Sequence, residues 1–297
     1  MKMTANVPGD GSTDSSAHRD PTRAIGAILV AAKRLDTSDV HEIQNFAVKA
    51  GLRFGDAAVQ LNLLAPEDVE FALGRQFNYP LVSHGPEGVV TDDVIAAYNP
   101  DCDAVEDLRT VRSRLLLGWL KQTSRNALAI VSPERREGRS WLAANLATVF
   151  AQAGERTLLI DTDMRHPRQH LLFNLNNDVG LSALLTGRAG REIAQRVDPM
   201  LRLFVAPAGM APPNPQELLT RPVFDIVLEG FAKQFDLVVL DTPAATETAD
   251  AEILAARAGA AIMLTRRHYT HHARLRAAMD SLVRSGTKVI GTVLNEH

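Results

Sequence analysis

The sequence predicts an α/β protein: a doubly wound, mostly parallel sheet preceded by a small, mainly helical N-terminal domain. Three observations carry this. The chain has 297 residues, room for about two domains at roughly 150 residues each. Residues 25–82 place apolar side chains at helical spacing and repeat weakly at an offset of 29 residues. Beyond residue 103, short continuously apolar runs alternate with helical stretches, as expected for a parallel sheet covered on both faces.

Residues 1–22 are rich in Gly, Pro, Ser, Thr and Asp and are expected to form a disordered leader. Residues 23–82 form the N-terminal domain. Gly26, Val30, Leu35, Asp39 and Val40 recur as Gly55, Val59, Leu64, Asp68 and Val69. Each copy reads as an apolar helix, a turn and a second helix, opened at Thr37 or Ser38 in the first copy and at Pro66 in the second. The unit is expected to be two packed helical hairpins closed by an extended piece, Tyr79-Pro80-Leu81-Val82. Residues 83–103 carry turn formers and read as a linker. In the second domain, residues 104–297, strands are expected at 127–131, 157–161, 201–205, 237–241, 260–264 and 289–294. Helices are expected at about 104–120, 140–153, 215–233, 249–257 and 270–285.

Composition excludes several functions. The net charge is −3, with 32 basic and 35 acidic residues, so no basic surplus argues for nucleic acid. Only 10 Phe, 2 Trp and 3 Tyr disfavour a stacking platform for single strands. The single cysteine, Cys102, excludes an intramolecular disulfide framework and a thiolate-built zinc site. No run approaches the roughly 18 apolar residues of a membrane span, and no apolar signal core opens the chain. A soluble, intracellular protein is expected.

The chemistry gathers at strand ends. The first strand runs into Ser132-Pro133-Glu134-Arg135-Arg136-Glu137-Gly138-Arg139-Ser140 and then an amphipathic helix. A phosphate-binding loop needs backbone N–H groups converging at a helix N-terminus, a cation and a hydroxyl for Mg²⁺. Gly138, Arg139 and Ser140 stand at those places, although a charged strand-to-helix turn fits this loop as well. Two further segments tip the balance. Asp161 and Asp163 lie at and just past the end of the second strand, and Asp241 closes another, in Leu237-Val238-Val239-Leu240-Asp241-Thr242-Pro243. In open α/β sheets, ligands bind at the carboxyl ends of strands, and carboxylates with a serine there suit a hydrated Mg²⁺ on a nucleotide.

With these motifs, residues from about 104 to 295 resemble the bacterial tyrosine kinases of exopolysaccharide and capsule synthesis, EpsG type, within the MinD/ParA-like P-loop ATPases. Ser132 to Ser140 is similar to the family's Walker A loop, Asp161-Thr162-Asp163-Met164-Arg165 with Pro167 to its second Walker-type motif, and Asp241-Thr242-Pro243 to Walker B. Pro213-Asn214-Pro215-Gln216-Glu217-Leu218-Leu219 resembles a further family segment. Glu106, Arg109 and Arg112 match the family's subunit-contact motif and share one helical face. The resemblance implies transfer of the γ-phosphoryl group of ATP to tyrosine, chiefly on neighbouring subunits. It implies catalytic roles for Asp161, Asp163 and Arg139, and nucleotide binding by Gly138, Arg139, Ser140 and Arg165. Mg²⁺ would be held by Ser140, Asp163 and Asp241, and the subunits would form a homo-oligomer through Glu106, Arg109 and Arg112. It also implies a membrane-embedded polysaccharide chain-length-determinant protein as partner, recruiting a cytoplasmic chain to the inner face of the membrane. Asp250 is a further candidate, equally readable as a helix N-cap.

The sequence departs from that pattern in places. Arg139 replaces the Walker lysine with a bulkier planar fork. Arg136 stands where the family has a glycine, costly if its φ is positive. The only tyrosines are Tyr79, Tyr98 and Tyr269, with no C-terminal cluster. Two alternatives therefore stand beside a working kinase. One is a catalytically inactive pseudo-kinase that keeps the ring surface; the other is a MinD/ParA-type ATPase, against which Glu134 occupies the place of that group's signature lysine.

Residues 23–82 resemble the N-terminal domain of type II secretion and pilus assembly ATPases. The stretch Arg53-Phe54-Gly55 through Leu73 and Gln76 is similar to a motif by which some such domains bind cyclic di-GMP, although Ala24, Ala47 and Asn62 depart from it. A protein-docking module is the favoured reading. His268, His271 and His272 with Arg266 and Arg267 read as a solvated basic corner, Cys102 as an incidental thiol, and Phe71 and Phe77 as core.

Overall fold

A computed structural model describes residues 24–76, 90–122, 126–199 and 201–296. The chain divides into two compact units, one ending at Tyr79 and the other beginning at Pro80. The expected leader and the piece Tyr79 to Val82 lie outside the described residues, as does Phe77.

The smaller unit is built from α1 (Ile25–Ala31), α2 (Thr37–Ala50), α3 (Phe54–Gln60) and α4 (Pro66–Gln76). The sequence repeat is a structural repeat. The helix starts Ile25 and Phe54 are 29 residues apart, as are Thr37 and Pro66. Among the described residues of this unit, the two non-glycine residues with positive φ, Lys33 at 57° and Asn62 at 55°, keep the same offset. Helix α1 packs on α4 and α2 on α3, so each hairpin completes the other. Leu29, Leu35, Ile43, Ala58, Leu64 and Ala72 form the core. The N-cap of α2 is Asp36 rather than Thr37 or Ser38, while Pro66 opens α4 as expected. Phe71 is half-buried beneath the Arg34 guanidinium, 4.1 Å from its ring centre, rather than in the core.

The larger unit holds one seven-stranded sheet. Along the chain come α5 (Ile95–Tyr98), α6 (Asp103–Gly118), β1 (Ala127–Val131), α7 (Arg139–Gln152), β2 (Thr157–Asp161), α8 (Gln169–Leu172) and α9 (Leu181–Leu185). Then follow β3 (Gln195–Arg196), β4 (Leu203–Ala206), α10 (Pro215–Thr220), α11 (Pro222–Ala232), β5 (Leu237–Asp241), α12 (Asp250–Ala258), β6 (Ala260–Arg266), α13 (His272–Arg284) and β7 (Lys288–Asn295). The strand order is β3-β4-β2-β5-β1-β6-β7, parallel throughout except for β3 against β4. This is the doubly wound sheet the sequence predicts. Alternate residues of the central strands feed two cores: Leu128, Ile130, Leu237 and Val239 point to one, Ala129, Val131, Val238 and Leu240 to the other.

Four expectations need correction. The expected helix 215–233 is two helices, because Pro222 has no N–H to continue the first and holds Arg221 extended, at φ −67° and ψ 147°. The expected strand 201–205 begins at Leu203 instead, and the two-residue β3 was not foreseen. Helix α7 is not amphipathic in place: Leu142 to Gln152 are all buried. Its polar stripe is covered by residues 93–96, part of the stretch read as linker. Asn145 Oδ1 accepts the Ala96 N–H at 3.0 Å, Asn145 Nδ2 donates to the Asp93 carbonyl, and Gln152 Nε2 donates to the Ala96 carbonyl at 2.6 Å.

Candidate active site

The strands β1, β2 and β5 end together, and the chemistry stands on their ends. The fully buried β5 lies between the other two, with Asp161 of β2 in register with Asp241. Leaving β1, the loop of residues 132–138 turns into α7 at Gly138, whose φ is 102°. The positive φ favours glycine there, and a Cβ would also displace the Asn295 amide, 2.8 Å away. Arg136 also has positive φ, 59°, the strained case anticipated for a side chain at that position. The segment after β5 clamps the loop: Ala245 N–H donates to the Ser132 carbonyl at 3.0 Å and Thr246 N–H to the Pro133 carbonyl at 3.1 Å. The first-turn N–H groups of α7 have no carbonyl within the helix and remain for an anion.

Arg139 does not extend from this loop but folds into it. Its Nε donates to the Thr242 carbonyl at 2.9 Å, and its Nη1 to Ser132 Oγ and the Glu134 carbonyl, both at 2.5 Å. Burial lowers its pKa, opposed by Asp241 and Asp163. Beneath the loop lies a carboxylate that sequence reasoning did not single out. Glu137 is fully buried, accepts the Glu134 N–H at 2.7 Å and is bonded by the Thr270 hydroxyl. Asn295 Nδ2 donates to the Glu137 carbonyl at 2.9 Å.

The acidic residues divide their work. Both Asp161 and Asp241 are fully buried. Asp161 accepts the N–H groups of Arg168 (2.8 Å), Gln169 (2.9 Å) and Asp163 (3.2 Å). Burial, and then the charge of Asp241, hold its pKa well above the usual carboxylate range. Burial pushes Asp241 up to about 6, opposed by hydrogen bonds from Gln169 and Ser140 and by Arg139. Asp163 turns back to the backbone, accepting the N–H groups of His166 at 2.9 Å and Arg165 at 3.2 Å. Among the described residues, no three His, Cys, Asp or Glu side chains converge to hold a bare metal ion. Hydrated Mg²⁺ needs less, since it keeps several waters and takes one or two carboxylates plus phosphate. Asp241 Oδ1, buried without a partner, fits it.

The remaining candidates are placed as follows. Arg165 Nε meets Asp250 Oδ2 at 3.4 Å. Asp250 is the first residue of α12, whose N-cap is Ala249, so the N-cap reading is overturned. On α6, Arg109 Nη1 pairs with Glu106 Oε2 at 3.0 Å, whereas Arg112 turns inward to the Val149 carbonyl at 2.9 Å. His268, His271 and His272 are exposed. Gln169 was missed. A glutamine carries no motif of its own, and the only signal was its place just beyond the Asp161 to Pro167 segment.

No family model matches the sequence. Among curated proteins, the chain is 33% identical over 203 residues to the tyrosine-protein kinase ptk of Acinetobacter johnsonii, covering 68% of this chain and 28% of that protein. It is also 33% identical over 203 residues to the tyrosine-protein kinase YwqD of Bacillus subtilis, covering 85% of that protein. The chain thus spans under a third of the longer relative and most of the shorter one. Among solved structures, the kinase domain of Escherichia coli tyrosine kinase ETK matches with TM-score 0.65 and 30% identity, over 68% of this chain and 79% of that one. The cell division ATPase MinD of Pyrococcus furiosus shares the fold, with TM-score 0.51 and 23% identity, over 59% of this chain and 73% of that one.

Proposed function

The chain belongs to the bacterial tyrosine-protein kinase family, and from that membership we propose that it transfers the γ-phosphoryl group of ATP to tyrosine. The observation that carries the proposal is the meeting of Asp161 and Asp241 at adjoining strand ends, with Gln169 bridging Asp241 to Ser140 in the first turn of the helix that the loop opens.

The chain's own groups supply most of what this reaction asks. The α7 N-terminus, from Gly138 through Ser140, binds phosphate through its N–H groups, and Arg139 and Arg165 supply cationic charge around it. Ser140, Asp163 and Asp241 would hold Mg²⁺, which when bound would supply positive charge to the phosphates. Asp161, with its raised pKa, orients the tyrosine hydroxyl and takes its proton as oxygen bonds to phosphorus and ADP departs. Exclusion of water by burial strengthens each of these interactions.

Around this centre, Glu106 and Arg109 present a charged face for a second copy of the chain, with Arg112 anchoring α6 to α7 beneath it. The partner we propose is a membrane-embedded chain-length-determinant protein of exopolysaccharide export, which would hold the chain at the inner face of the membrane. Among the described residues no helix is long and apolar enough to cross a membrane. The N-terminal unit serves as a docking module, with cyclic di-GMP as a second ligand to test. The pseudo-kinase and positioning-ATPase readings are not favoured, because the curated relatives are tyrosine-protein kinases.

The test is incubation of the full chain with labelled ATP and the cytoplasmic tail of that partner. Phosphotyrosine above an Asp161→Ala control is expected; label equal to that control would overturn the proposal.

A further inference from the structure

Gln169 joins every part of the strand-end site, and nothing in the motifs assigns it a role. The residue is fully buried. Its backbone N–H donates to Asp161 Oδ2 at 2.9 Å. Its side-chain Nε2 donates to Asp241 Oδ2 at 2.7 Å and to the Ser140 carbonyl at 3.1 Å. One side chain therefore ties the end of β5 to the first turn of α7, while its own backbone holds the end of β2.

The orientation of the amide follows from its partners. A carbonyl and a carboxylate oxygen only accept hydrogen bonds, so the nitrogen must face them and the oxygen must face away. That oxygen, Oε1, is buried and has no partner, and the same is true of Asp241 Oδ1. Two acceptor atoms thus stand orphaned on side chains that are bonded to each other. Buried acceptors without donors are costly and rare in folded proteins, and such a pair needs a donor-rich ligand. A hydrated divalent cation is such a ligand: its waters donate outward, and the carboxylate supplies charge.

Resting on the kinase reading of this site, we infer that Gln169 is a positioning residue for the hydrated metal of the nucleotide site. It fixes Asp241 against Ser140 with its nitrogen and accepts a metal-bound water with its oxygen. Such second contacts commonly orient metal ligands and tune affinity by about 10–100-fold.

The experiment uses the full chain. Calorimetry measures ADP binding in EDTA and across a Mg²⁺ series, and Mn²⁺ electron paramagnetic resonance measures metal binding in the presence of ADP. Gln169→Met keeps length and packing but removes both amide atoms; Gln169→Glu keeps acceptors but loses the donor to Asp241. For both variants the Mg²⁺ concentration at half-effect and the Mn²⁺ dissociation constant should rise at least about tenfold, with ADP affinity in EDTA unchanged. A purely structural role would weaken ADP binding equally with and without metal. If one variant does not fold, the other decides. Metal dependence equal to that of the wild type would overturn the inference alone. A wild type whose ADP binding ignores Mg²⁺ would overturn the nucleotide site and, with it, this role.

Discussion

Asp161 and Asp241 face each other in register at the ends of neighbouring parallel strands, both fully buried. Burial raises the proton affinity of both, and the charge of Asp241 raises that of Asp161 further. The fold supports them with three backbone N–H groups on Asp161 and with the Gln169 amide on Asp241. Both carboxyls are therefore biased toward protonation, a cost that the cation of the proposed reaction would offset.

The first prediction concerns stability. Asp241 is raised to about 6, above the value of an unfolded aspartate. Between the two values the folded chain keeps a proton that the unfolded chain releases, so stability falls as pH rises through this window. Above about pH 6 the whole cost is present, and below about pH 4 it is absent. Asp241→Asn removes it. Thermal melts followed by tryptophan fluorescence should show the variant more stable by roughly 2–3 kcal/mol at pH 8, with the gain vanishing near pH 4. Trp119 and Trp141 both report on the larger unit. A gain that grows as pH falls would contradict the assignment.

The second concerns the loop cation. In its present place Arg139 makes three hydrogen bonds to the loop and its clamp, and phosphate must compete with them. Lysine, a compact point charge, has no planar fork to span Ser132, Glu134 and Thr242 at once. Arg139→Lys should tighten Mg·ADP binding about tenfold in a calorimetric titration, roughly 1.4 kcal/mol. Unchanged or weaker binding would show that the arginine already serves the phosphates as well as lysine does.

A third prediction sorts the tyrosines. The Tyr98 hydroxyl donates to the Val90 carbonyl, and burial raises its pKa. Tyr269, 40% exposed, lies beneath the Arg266 guanidinium, 5.4 Å from its ring centre. After incubation with ATP, phosphopeptide mapping should find phosphate at Tyr269 and none at Tyr98.

Legibility in the sequence followed the range of the forces involved. Strands β1, β2 and β5 were readable to the residue, because each is a short, mostly apolar run, and β2 and β5 close on an aspartate at the site. The nearness of Asp161 and Asp241 was legible because strand ends converge wherever the sheet is parallel. What was not readable depends on distant chain. Asn145, Thr148 and Gln152 are spaced like the wet stripe of a surface helix, yet all are buried, and the strap around Ala96 takes the hydrogen bonds of Asn145 and Gln152. The inward turn of Arg112 likewise depends on where α7 lies. Gln169 and Glu137 matter through contacts with segments distant in the chain, which no local period records.

The last prediction tests the repeat in the N-terminal unit. Gly26 and Gly55 occupy equivalent places, each facing a valine 14 residues on, Val40 or Val69. The two contacts differ in tightness. A Cβ at Gly26 would come 3.0 Å from Val40 Cγ1, within reach of a small adjustment, whereas one at Gly55 would come 2.5 Å from Val69 Cγ1. Helix propensity favours alanine at both by up to about 1 kcal/mol, so only the steric term separates them. Gly26→Ala should be near neutral, while Gly55→Ala should cost about 1–2 kcal/mol as an overpacked core. Adding Val69→Ala to Gly55→Ala should recover part of that loss, a coupling of at least about 0.5 kcal/mol expected of residues in contact. Both tryptophans lie in the larger unit, so hydrogen exchange of peptides from residues 24–76 is the measurement to use. Equal protection in the two glycine variants would mean that the halves of the repeat are packed alike, against the geometry of the valines.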